Sequence, residues 1–69
     1  MNNFYWDLFN KINKTLLLSQ ISKGTVAKEL NISQTAFSNQ LKNLKNGKGI
    51  NITTIKKIEE LTGEIFFLL

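Results

Sequence analysis

Apolar residues recur along this chain at intervals of three and four, the period of helices packed on one side. From Tyr5 the series runs through Leu8, Phe9, Ile12, Leu16 and Leu17, predicting one helix from about residue 4 to 20. Asn2 or Asn3 offers the oxygen that caps it, and Asp7 sits early, where the helix dipole favours an anion. Asn13, Lys14 and Thr15 are weaker helix formers as a group, so two shorter pieces are the alternative. Val26, Ala27 and Leu30 define a short second helix over residues 25–30, closed by Asn31, which tolerates the left-handed conformation without being glycine. Ile32 reads as a buried plug and Ser33 as the cap of the next helix. That helix places Phe37, Leu41 and Leu44 on one face and only polar residues on the other: Gln34, Thr35, Ser38, Asn39, Lys42 and Lys45. After the Gly47-Lys48-Gly49 loop, Asn51 caps a last helix with Ile55, Ile58 and Leu61 as its stripe, and Ile50 is placed to staple against Ile55. Gly63 stops it, leaving Glu64 to Leu69 as a short, very apolar tail, strand or helix.

The pattern sums to an all-α fold: a compact bundle of four to five short helices in a single domain spanning residues 1–69, the tail completing the core or pairing with a twin. A chain of 69 residues is near the lower limit for folding unaided. Small scaffolds usually lean on disulfides, a metal or a second subunit, and the absence of cysteine and histidine leaves oligomerisation as the expected aid. No cofactor and no metal are expected. Nine lysines against five acids give a net charge of +4, which favours anionic partners. Lysine, asparagine and isoleucine share A/T-rich codons, so a base-biased genome is a competing source of that excess, and the distribution says more than the total. Residues 30–58 contain no acid, while Lys42, Lys45, Lys48, Lys56 and Lys57 fall inside them. A merely solvated lysine surface is the competing reading. No apolar run reaches a membrane span and the start lacks a secretory signal's basic flank, so a cytoplasmic protein is expected.

Two short helices joined by a tight turn become a rigid unit when small and apolar residues occupy their crossing. Ala27 and Phe37 fit that need, and Leu30 and Ile32 seal the corner. The segment Lys23-Gly24-Thr25-Val26-Ala27-Lys28-Glu29-Leu30-Asn31-Ile32-Ser33-Gln34-Thr35-Ala36-Phe37-Ser38-Asn39-Gln40-Leu41-Lys42 resembles the helix-turn-helix of Cro/repressor-type proteins, closest to Cro-like phage repressors. Ala27 stands at that family's small-residue site, Leu30 and Ile32 at its apolar sites around the turn, and Phe37 at its recognition-helix core site. Two positions depart from the pattern: Asn31 replaces the usual glycine, and Gln40 takes a place often filled by an aliphatic residue. The resemblance covers the central third tightly and leaves Phe4, Tyr5 and Trp6 unaligned. It implies a transcriptional regulator whose partners are double-stranded DNA and a second copy of the chain, the copies joined through the C-terminal tail or the N-terminal aromatic segment.

For base contacts the candidates are Gln34, Thr35, Ser38 and Asn39. The Gln34 carboxamide can pair bidentately with adenine, and threonine can offer its methyl to thymine. For phosphate contacts they are Lys23 and Lys28, read as opening the preceding helix, with Ser33, Lys42, Lys45 and Lys48. The absence of arginine points to an A/T-rich site. The Phe4-Tyr5-Trp6 run is read as core, with exposure of Tyr5 or Trp6 marking an interface. An enzyme is not expected: histidine and cysteine are absent, and Glu59 and Glu60 are helix neighbours pointing to different faces. The rival from another class is a small protein-interaction module, an inhibitor or antitoxin-like partner that uses this fold to bind a protein.

Overall fold

A computed structural model describes residues 4–66. It contains four helices: α1 (Phe4–Leu18), α2 (Lys23–Glu29), α3 (Gln34–Lys45) and α4 (Ile52–Thr62). α3 lies against α1 and α2, and α4 closes the bundle against the same two helices. Among the described residues there is no strand, and no helix is long and apolar enough to cross a membrane. The caps expected at Asn2 or Asn3 lie outside the described residues.

Three of the four helices end with the same device. After α1, Ile21 N donates to Leu16 O at 3.0 Å and Gln20 N to Leu17 O at 3.1 Å; after α2, Ile32 N donates to Ala27 O at 3.0 Å and Asn31 N to Lys28 O at 3.1 Å; after α3, Lys48 N donates to Asn43 O at 2.8 Å and Gly47 N to Leu44 O at 3.1 Å. Each pair satisfies carbonyls the helix itself leaves open, and each requires one left-handed residue: Gln20 (φ 58°), Asn31 (φ 59°) and Gly47 (φ 83°). Ile21 and Ile32, just beyond the turns, tuck against the core and fix the exit angle. Ile32 is half-buried and packs against the core, closing the corner with less cover than the buried plug expected. α4 ends more simply, with Gly63 (φ 77°) donating to Glu59 O at 2.8 Å.

The N-termini follow the same economy. Ser22, Ser33 and Asn51 accept from Thr25 N (3.1 Å), Ala36 N (3.0 Å) and Thr53 N (2.8 Å). Ser22 starts α2 at Lys23, two residues before the expected start, so Lys28 stands in its last turn and not at its opening.

Leu8, Ile12, Leu16, Val26, Ala27, Phe37, Leu41, Leu44, Ile55 and Ile58 form the core, with Phe37 fully buried. Leu61 and Ile50 pack on its margin. α1 is continuous through Asn13-Lys14-Thr15, so the two-piece alternative is not adopted. Its inward stripe is narrower than expected: Tyr5 and Leu17 are exposed, Phe9 is half-buried, and Thr15 is buried instead. Phe4, Tyr5 and Trp6 are not core either, for each is between 40 and 47% exposed. The tail is neither strand nor helix over its described part. Phe66 N donates to the Glu59 carboxylate at 2.8 Å while the ring packs on the core under Lys11; the remainder lies outside the described residues.

Candidate nucleic-acid interface

α3 carries most of the candidate residues, and its helical period sorts them. Phe37, Leu41 and Leu44 point inward, which sends Thr35, Asn39, Lys42 and Asn43 outward, all of them exposed. Gln34, Ser38 and Lys45 fall along one shoulder of the same helix, and Gln40 falls on the other. Asn43 was missed by sequence reasoning, although the spacing 35, 39, 42, 43 around an inward Phe37-Leu41-Leu44 stripe identifies it.

The Gln34 shoulder faces α2. Gln34 is exposed at the first position of α3, its Oε1 lying 3.3 Å from where a Cβ on Gly24 would stand, so a glycine in α2 leaves the room its carboxamide occupies. The carboxamide makes no hydrogen bond to the described residues, which leaves both its donor and its acceptor available. Ser38 is half-buried on this side, less open than Thr35 or Asn39. Ser33 spends an oxygen lone pair on Ala36 N, but its hydroxyl hydrogen can still be donated to an anion.

Lys23 is exposed at the start of α2, and Lys28 lies one turn after Gly24, hence on the same side of that helix. Lys42 is exposed on the outward arc of α3 and Lys48 in the loop after it. Among the described residues none of these lysines pairs with a carboxylate; the ion pair present there is Lys57–Glu60, at 3.3 Å on α4. Lys45 is the exception in geometry. Its ammonium sits 6.0 Å from the ring centroid of Trp6 and 5.8 Å from that of Phe9, close enough for attraction to both ring faces.

Gln40, which breaks the aliphatic expectation at its position, turns toward α4. Its Oε1 accepts from the buried Thr54 hydroxyl at 2.7 Å, so a polar pair joins the two helices.

No protein-family model, curated protein or solved structure matches this chain significantly. The surface itself offers an α2–turn–α3 unit, an outward polar arc, the unbonded carboxamides of Gln34, Asn39 and Asn43 and, among the described residues, lysines without carboxylate partners. Such a surface suits a polyanion that presents hydrogen-bonding edges. No cluster of three or more acids suited to a metal occurs among the described residues.

Proposed function

We propose that this chain is a sequence-specific DNA-binding regulator that places the N-terminal half of α3 in the major groove. Gln34 reads a base edge, with Thr35 and Asn39 beside it and Ser38 in support; Lys23, Lys28, Lys42 and Lys48, with Ser33, engage phosphates. The observation that carries this reading is Gln34: an unbonded carboxamide at the exposed start of a helix whose other exposed residues are all polar or cationic. The working mechanism is steric repression, a homodimer seated across a promoter so that polymerase is excluded.

The dimer contact is assigned to the C-terminal end of α1 and the tail. Leu17 (77% exposed), Leu18 (73%) and Ile65 (59%) are the most open large apolar residues, and Leu18 borders a hollow shared with Thr62 and Glu64, next to Ile65. A two-fold contact there lets two recognition helices address a palindromic site one DNA turn apart.

The test is a titration of purified protein against the DNA upstream of its own gene and against a scrambled duplex, across salt concentrations, with wild type and Gln34→Ala. The native duplex is expected to win by about 10³ or more at physiological salt, with the preference abolished by Gln34→Ala. Equal binding of both duplexes would end the sequence-specific reading. A second reading, a module that binds protein, is favoured by the exposed Phe4, Tyr5 and Trp6. Under it Gln34→Ala would be silent and neither duplex would bind.

A further inference from the structure

The exposed aromatic cluster at the start of α1 is not isolated. Trp6 and Phe9 stack at 5.7 Å between centroids with planes 29° apart, and the ammonium of Lys45, in the last turn of α3, lies over both rings. Phe4 and Tyr5 meet edge to face at 5.4 Å, and the Tyr5 hydroxyl reaches the α3–α4 loop, 3.9 Å from the Cβ position of Gly49 and next to Lys48 in sequence. We infer that Trp6 and Phe9 hold Lys45 as a preset phosphate contact for duplex DNA, with Trp6 and Tyr5 packing beside it on the flanking sugar-phosphate backbone. This rests on the DNA-binding reading above and extends its surface to the start of α1.

Three observations favour this occupant. The first is geometric continuity. Lys45 lies on the same shoulder of α3 as Gln34 and Ser38, eleven residues beyond Gln34 and therefore roughly 16 Å along the helix axis. A major groove is about 12 Å wide. With Gln34 over base edges, an α3 that enters the groove N-terminus first carries Lys45 and its aromatic seat out to about the level of the backbone.

The second is charge. The carbonyl end of a helix repels an approaching phosphate, so a cation fixed at that end is what allows the approach. Residues 30–58 supply no acid to compete for it, and the nearest acid on α1, Asp7, is exposed and has no ion pair with Lys45. A second copy docking here across a two-fold axis would set Lys45 and Lys48 near their own twins, and an apolar protein segment would strip water from Lys45 without replacing it. Duplex DNA supplies phosphate oxygens for the ammonium and apolar sugar faces for the rings.

The third is entropic. A solvated lysine loses rotamer freedom when it binds a phosphate, whereas Lys45 is already restrained by two rings.

Trp6 is the chain's single tryptophan, so its fluorescence reports this site alone. A mixed-sequence 20-bp duplex is titrated in low salt, following labelled-DNA anisotropy and Trp6 emission together. Lys45→Ala, Trp6→Leu and Trp6→Phe follow, each checked for native helicity by circular dichroism. The two signals are expected to saturate together, Lys45→Ala to weaken binding several-fold and flatten the slope of log affinity against log salt by about 1. Trp6→Leu should reproduce part of that change and Trp6→Phe, which keeps a ring face, little of it. If anisotropy reports binding while Trp6 emission stays flat and the variants keep the wild-type slope, the inference fails and the major-groove reading stands. If no duplex binds at all, both fail. A single-stranded thymidine oligomer that quenches Trp6 more strongly than the duplex, or self-association that quenches it without DNA, would equally overturn the assignment.

Discussion

The Thr54–Gln40 hydrogen bond offers the sharpest check on how α3, and with it the candidate interface, is held in place. Thr54 is 3% exposed and its hydroxyl donates to Gln40 Oε1 at 2.7 Å across the α3–α4 junction. Thr54→Val keeps the shape and removes the donor; Gln40 is only half-buried and can turn to water, so the loss should be about 0.5–1.5 kcal/mol. Gln40→Leu strands a buried hydroxyl, at a cost of about 1–3 kcal/mol. Replacing both partners removes the polar demand altogether, and the double variant should return near wild type. With the double variant near wild type, the cycle thus predicts a favourable coupling equal to the sum of the two single costs, about 1.5–4.5 kcal/mol, large against the roughly 3–10 kcal/mol expected for a whole domain of this size. Urea unfolding at fixed pH measures all four proteins, with unchanged m-values required for comparison. A double variant destabilised by the sum of the two single effects would refute the argument, showing that the hydroxyl and the carboxamide do not depend on each other.

Phe37→Ala empties the centre of the core, and its cost of about 3–5 kcal/mol rivals the total stability, so the variant should lose its cooperative thermal transition; a sharp melt near the wild-type temperature would contradict that packing. Gln20→Gly relieves a left-handed residue that has no local reason to be glutamine and should raise stability by up to about 1 kcal/mol in urea, with Asn31→Gly gaining less because asparagine tolerates φ 59° better; a loss at Gln20 would mean its side chain matters more than its backbone. Gly24→Ala should separate stability from recognition. Helix propensity gains at most about 1 kcal/mol at this first-turn position, while the new Cβ meets Gln34 Oε1 at 3.3 Å and shifts the carboxamide, so a somewhat higher melting temperature with weaker base preference in duplex competition is expected. Unchanged preference would show that Gln34 does not rely on the open side of α2.

Much of this architecture is written in local chemistry. Asn31 in the turn, Ser33 and Asn51 as caps and Gly63 as a stop were legible because each satisfies a backbone group within three or four residues of itself. The Phe37-Leu41-Leu44 stripe was legible for the same reason, since a helix with one apolar face has only one way to bury it. What was hidden depends on neighbours distant in sequence. α1 has more apolar residues than its partners can cover, so counting them marks Tyr5 and Leu17 as core when α3 and α4 cover only Leu8, Ile12, Thr15 and Leu16. Threonine at 54 reads as surface until Gln40, fourteen residues away, gives its hydroxyl a partner. Within the candidate interface, the polar face of α3 was foreseen as a set. Its division into an outward arc and a shoulder leaning on α2 and on the rings of α1 was not, because that depends on how α1 and α2 sit against α3.

The turns that reverse the chain also set its tempo. Links of four, four and six residues at 19–22, 30–33 and 46–51 join consecutive helices, and no proline is present to impose a slow isomerisation. Closing such short connections takes well under a microsecond, and helical bundles of this kind fold in microseconds to milliseconds. A molecule that opens and recloses on that timescale recloses before most proteases cut, so its survival in a cell follows the fraction of time spent open and not the rate of opening. At such modest stability, that fraction changes about tenfold for every 1.4 kcal/mol, and single substitutions in the turns or at Thr54 become settings for how long each copy lasts.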